Sequence, residues 1–109
     1  MVSITAKRRD SVFRAISDPT RREILKILRA DQQTVGSIAH NFRMSRPAIS
    51  KHLRVLRSAG LVETRRHGTQ TRCKLNAKPL RAVDEWLRDY ESFWEQSLQS
   101  LKKHLEEQS

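Results

Sequence analysis

The chain has 109 residues, which favours one domain, and 37% of them are hydrophobic, enough for a thin core. A single cysteine, Cys73, excludes an intramolecular disulfide, and no stretch reaches the roughly 20 apolar residues that span a bilayer. The N-terminus lacks the apolar run of a signal peptide, so a cytoplasmic protein is expected. The net charge is +10, from 22 basic and 12 acidic residues, and its distribution is uneven. Residues 43–75 hold nine basic residues and one acid, Glu63, a net of +8. Positive charge so concentrated is the footprint of a surface that binds a polyanion.

In chain order, residues 8–17 predict a first helix with Val12, Phe13 and Ile16 as its apolar face. Asp18-Pro19-Thr20 restarts the chain: Asp18 suits an N-cap and Pro19 the first helical position. The second helix runs to about Arg29, with Ile24, Leu25, Ile27 and Leu28 as core candidates. Asp31-Gln32-Gln33 reads as a polar connection. Thr34 caps a third helix whose Val35, Ile38, Ala39 and Phe42 face inward. Arg43-Met44-Ser45 is then a tight joint, with Met44 expected to be buried in it. Such a joint often needs a left-handed residue. Arg43 there implies either about 1 kcal/mol of strain or a different turn.

The fourth helix starts at the N-cap Ser45 and stops at Gly60. Ile49, Leu53 and Leu56 form its buried face; Arg46, Ser50 and Arg54 lie on the opposite side, with Pro47 and Lys51 beside them. Two short helices joined by so brief a turn, spanning 34–58, form a helix-turn-helix. A stiff helix with a polar, cationic outer face and no acid is shaped for a DNA major groove. Residues 61–75 then alternate around His67-Gly68-Thr69 and predict a β-hairpin with basic residues on both arms, suited to lie along a phosphate backbone as a wing. An ordinary surface hairpin is the plainer alternative.

From Pro79 to about residue 107 the chain reads as one helix, with Leu80, Val83, Leu87, Tyr90, Trp94, Leu98, Leu101 and Leu105 recurring every three or four residues. The segment is acidic, which keeps it from DNA. About 28 residues make a rod of roughly 40 Å, too long for so small a body. Part of its stripe is therefore expected to meet the same stripe on a second chain.

Two stretches carry a family resemblance. Phe13-Arg14-Ala15-Ile16-Ser17-Asp18-Pro19-Thr20-Arg21-Arg22-Glu23-Ile24-Leu25 and Ser45 to Val62, with its Ser-x-x-x-x-Ser-x-His-Leu-x-x-Leu-x-x-Ala-Gly-Leu-Val order, resemble the ArsR-type winged helix-turn-helix repressors. The resemblance implies a mainly α fold of four helices, a two-stranded wing and a last helix. It also implies a homodimer built from the first and last helices, and repression by occupying an operator. Metal sensing does not carry over. Where one site type has Cys-x-Cys, Thr34 to His40 contains no thiol; where another has Asp-x-His and His-x-x-His, this chain has Asp84-Glu85-Trp86 and Ser97-Leu98-Gln99-Ser100. Zinc and its neighbours need several N or S ligands in one shell. No metal or cofactor is therefore expected, and the aromatic C-terminal pattern resembles the non-metal, autorepressor-like subgroup.

The site residues follow. Arg46, Pro47, Ser50 and Lys51 are expected to meet base edges, Arg46 foremost because arginine grips guanine bidentately. Ser45, Arg54, Arg57, Arg65, Arg66, His67, Thr69 and Arg72 are expected on phosphates, although His67 at the wing tip is equally a solvated residue. Phe13, Leu87, Tyr90, Trp94, Leu98 and Leu101 are expected at the dimer interface. Trp86 and Trp94 are expected to pack in the core, the alternative being a small-molecule pocket at the dimer seam. Double-stranded DNA and a second copy are the expected partners; no inducer can be read from the residues. Two rival functions are a winged helix that binds protein instead of DNA, which predicts a neutral or acidic fourth helix, and a repressor switched by oxidation of Cys73. His40, His52, His67 and His104 are scattered, so nothing supports an enzyme; for His52 a packing and hydrogen-bonding role is expected.

Overall fold

The computed structural model describes residues 4–108. Helix α1 spans Ile4–Ile16, α2 Pro19–Ala30, α3 Val35–Ala39 and α4 Arg46–Ser58. Strand β1 spans Gln33–Thr34, β2 Val62–His67 and β3 Gln70–Leu75. A 3₁₀ turn at Lys78–Leu80 leads into α5, Arg81–Arg88, and α6, Glu91–Gln108. The three strands are antiparallel in the order β1-β3-β2.

The helix starts behave as their cap residues dictate. Asp18 Oδ2 accepts the Arg21 N–H at 3.0 Å, Thr34 Oγ1 the Ser37 N–H at 3.1 Å, and Ser45 Oγ the Ala48 N–H at 3.2 Å. Each side chain thereby satisfies a donor that the first helical turn leaves open. α4 ends in a Schellman arrangement: the Gly60 N–H reaches Arg57 O and the Leu61 N–H reaches Leu56 O, both at 3.0 Å. Gly60 makes the reversal with φ at +79°.

The core lies where α1, α2, α3, α4 and the sheet converge. Val12, Ala15, Ile24, Leu28 and Ile38 meet Ile49, Leu53 and Leu56 of α4, with Leu61, Val62 and Cys73 beneath. The valine, leucine and isoleucine side chains among them each contribute about 1.5–3 kcal/mol on burial.

α1 is held to this core by two side chains of α2. Arg21 Nε donates to Ala15 O at 2.7 Å and its Nη2 to Arg14 O at 3.0 Å; Arg22 Nη1 donates to Ile16 O at 2.8 Å. These are carbonyls that the end of α1 leaves without intrahelical partners. Arg21 Nη1 also meets His52 Nδ1 of α4 at 3.3 Å, and that ring nitrogen lies 3.8 Å from Asp18 Oδ2. His52 therefore has the packing and hydrogen-bonding role expected of it, joining α4 to the start of α2.

Several expectations are corrected. α1 starts at Ile4 and ends at Ile16, and it also buries Ala15, whose small side chain hid it from a count of large apolar residues. Gln33, assigned to a polar connection, pairs with Cys73 in the short β1 and adds a third strand to the two-stranded wing. Two residues are too few to show alternation, and the pairing is with chain 40 residues away. Met44 is exposed at 36%, because the joint turns outward. No described non-glycine residue has positive φ, so Arg43 carries no left-handed strain and the turn is of another kind.

The last helix is not one rod. After the 3₁₀ turn it breaks again at Asp89–Tyr90, where Asp89, Tyr90 and Phe93 N–H groups bond three residues back instead of four. α5 stays on the body, with Val83 against the core. Every described residue of α6 is exposed. The radius of gyration is 18.8 Å, against about 13 Å for a compact chain of this length; the projecting α6 fits this excess.

Two consequences can be measured by urea unfolding. A Cβ on Gly60 would sit 3.4 Å from Pro79 Cγ with the backbone in the left-handed region, so Gly60→Ala should lower stability by about 1–2 kcal/mol. The Arg21 N–H bond holds the Asp18 carboxyl below its usual range; partial burial opposes this, and the His52 and Arg21 charges assist. A depressed folded pKa means that its stabilisation is present above the unfolded pKa and is lost as pH falls through the folded value. Asp18→Ala should cost about 1 kcal/mol near neutrality, with a smaller deficit at acid pH where the native carboxylate is itself protonated.

Candidate nucleic-acid interface

The buried face of α4 determines where its other face points. With Ile49, Leu53 and Leu56 directed into the core, Arg46, Pro47, Lys51 and Arg54 are exposed and Ser50 is half-buried at the helix edge. The Ser45 hydroxyl accepts the Ala48 N–H and keeps its own proton free to donate. The Arg46 guanidinium lies over α3: a Cβ on Gly36 would be 3.6 Å from Arg46 Nη2. Arg46 thus rests at the mouth of a polar groove of about 430 Å³, bounded by Thr34 and Gly36, by Ser50, and by Thr69 and Thr71 of the wing. α3, the first turn of α4 and the wing tip meet there. Thr71 and Gly36 were not among the expected site residues; only the folded hairpin brings the former to the groove.

The wing is shaped by its register. Arg65 stands opposite Arg72, Glu63 opposite Lys74, Arg66 opposite Thr71 and His67 opposite Gln70. Thr64 and Cys73, paired with each other, alternate with the outward Arg65 and Arg72. Like charges directly opposite each other repel. The Arg65–Arg72 pair forms no ion pair among the described residues. Two arginines opposite each other in the register, without a counter-ion among the described residues, make a ready seat for an anion. Gly68, with φ at +62°, closes the turn, and its carbonyl accepts Arg66 Nε at 3.3 Å. Thr69 and His67 are exposed at the tip, and Arg57 is exposed near the end of α4.

Cys73 is fully buried in the central strand. Burial pushes its thiol pKa up, outweighing the opposite pull of the Arg57 charge. A thiol so buried and so shifted is a poor nucleophile, which weighs against the oxidation switch and for a packing role.

The residues expected at a dimer interface form a second surface. Phe13 packs edge-on against Trp86 at 5.5 Å between ring centroids, and Trp86 against Tyr90 at 5.3 Å. Leu87 is half-buried, whereas Tyr90, Trp94, Leu98 and Leu101 are exposed, Leu98 at 65%. Trp86, Leu87, Tyr90, Phe93 and Trp94 line an open aromatic concavity of about 580 Å³, so Trp86 and Trp94, exposed at 44% and 55%, are surface residues and not the core residues expected. No helix among the described residues is long and apolar enough to cross a membrane.

Known proteins share this arrangement. Residues 18–64 match the profile of the arsR family of bacterial regulatory proteins. The chain is 40% identical over 81 residues to the transcriptional repressor SdpR of Bacillus subtilis, covering 74% of this chain and 90% of that protein. It is 37% identical to an HTH-type transcriptional regulator of Mycobacterium tuberculosis over 82% of this chain and 80% of the other. Among solved structures, an ArsR family transcriptional regulator superimposes with a TM-score of 0.76 at 32% identity, covering 87% of this chain and 97% of the other. An ArsR-like transcriptional regulator from a Rhodococcus species gives 0.69 at 35% identity, over 91% and 93%. The winged helix-turn-helix geometry and these matches agree: the chain belongs to the ArsR family of DNA-binding transcriptional regulators.

Proposed function

We propose that the chain is a homodimeric repressor that occupies a pseudo-palindromic operator and does not respond to metal ions. The observation that carries this reading is the uncompensated positive face formed by α4 and the wing, with Arg65 and Arg72 side by side. A winged helix that binds protein would have a neutral or acidic face there. SdpR is a transcriptional repressor, which favours repression over activation. In this reading the chain is one winged-helix unit, and α4 of each subunit enters a major groove. Arg46, Pro47, Ser50 and Lys51 meet base edges. Ser45, Arg54, Arg57, Arg65, Arg66, His67, Thr69 and Arg72 hold phosphates. Two-fold symmetry places the half-sites about one or two helical turns apart. A cytoplasmic location follows from such a role.

The second copy covers the stripe of α6. Trp94, Leu98, Leu101 and Leu105 recur at spacings of four, three and four, a seam suited to another helix. In α1 and α5, Phe13 and Trp86 continue the apolar surface toward the body. Metal independence is supported by Trp86, which stands where a sensing relative has an imidazole and is occupied with Phe13 and Tyr90.

Selection of genomic fragments by the purified protein, followed by sequencing, supplies the operator. On that operator, Arg46→Ala should relax preference at particular base pairs at a cost of about 1–3 kcal/mol; a uniform loss over all sequences would make Arg46 a phosphate contact. Replacing Leu98 and Leu101 together by Glu should yield a monomer in sedimentation with the helix content retained, and operator binding should collapse. Neither zinc nor a chelator should change operator affinity in a gel shift.

A further inference from the structure

A third concavity lies away from the N-terminal end of α4 that carries Arg46. It holds about 530 Å³ where α1, the end of α4 and the start of α5 meet, within the range of small-molecule sites. Its apolar wall comes from the buried Val12 and from Pro79 and Ala82. Its rim carries Arg8, Arg9 and Lys78 against one acid, Glu85. Among the described residues none of these four side chains forms an ion pair. One edge is fixed: Asn76 Nδ2 donates to Gly60 O at 3.1 Å, and the Lys78 N–H donates to Asn76 Oδ1 at 3.3 Å. An apolar wall under three cations suits a small organic acid, with its carboxylate among the guanidinium groups and its body on Val12 and Pro79.

We infer that this concavity binds a small carboxylate with an apolar body and that its occupation alters DNA affinity. The regulatory half of the inference rests on the repressor reading above. Its physical basis is that the walls belong both to the groove-reading helix and to α1 and α5, the helices proposed to dimerise. A ligand that prefers one spacing of these elements biases the other site by its differential affinity.

The experiment titrates the full chain with 2-naphthoate, with the neutral 2-naphthalenemethanol and with inorganic phosphate, by calorimetry and then in a gel shift on genomic fragments. Naphthoate should bind saturably and at least about ten-fold more tightly than the alcohol or phosphate, and should shift DNA affinity by about five-fold or more. Arg8→Gln with Arg9→Gln, which removes charge at exposed positions, and Ala82→Leu, which fills the space, should each weaken naphthoate binding about ten-fold, the ratio that 1.4 kcal/mol represents. Circular dichroism checks that both variants fold. Absence of saturable binding, equal binding of the alcohol or phosphate, or indifference to both folded variants overturns the site. Naphthoate binding that leaves DNA affinity unchanged overturns the regulatory role. Failure of the ligand-free protein to bind any DNA instead overturns the repressor reading.

Discussion

The burial of Ile49, Leu53 and Leu56 in the common core is the contact from which the rest of this structure follows. A helix that commits one face to a core has no freedom left in the direction of the other. The three side chains therefore orient Arg46, Lys51 and Arg54 outward as surely as they stabilise the fold. The same burial sets the height of the wing, because the Schellman turn at Gly60 delivers Leu61 and Val62 into the core at the end of α4. Stability and the orientation of the basic face are thus one set of contacts, and a cavity made under α4 would disturb both.

Arg21 extends this dependence to the far side of the molecule. Its guanidinium reaches two carbonyls at the end of α1 and a ring nitrogen on α4, while its own N–H is capped by Asp18. One side chain thereby links α1, α2 and α4, three of the four helices that meet around the core. The helix carrying Phe13, against Trp86 of α5, is tied to the helix carrying Arg46. Movement of either surface is resisted by charged hydrogen bonds, which are stronger than neutral ones.

Electrostatics divides the molecule in the same way. The cations of α4 and the wing are mostly without acidic partners, and the Arg65–Arg72 register sets two of them against each other. That arrangement opposes hairpin pairing and is relieved by an anion. The C-terminal segment is acidic and bears the exposed apolar stripe, so phosphates repel it and another apolar helix suits it. Cys73, buried in the middle of the sheet with its thiol pKa pushed up by that burial, belongs to the packing.

Periodicity and cap chemistry are local properties, so the four helices, their starts at Asp18, Thr34 and Ser45, the stop at Gly60 and the basic hairpin were legible in the chain itself. The charge asymmetry, a matter of counting, was equally plain. Contacts between distant segments were not legible. The pairing of Gln33 with Cys73, the exposure of Met44, the burial of Ala15, the convergence of Arg21, Asp18 and His52, and the resting place of Arg46 over Gly36 all depend on which surfaces the core brings together. The break at Asp89–Tyr90 also escaped, because the apolar spacing continues across it and no proline or glycine marks the position. Local sequence decides what each element is; packing over long separations decides what each element touches.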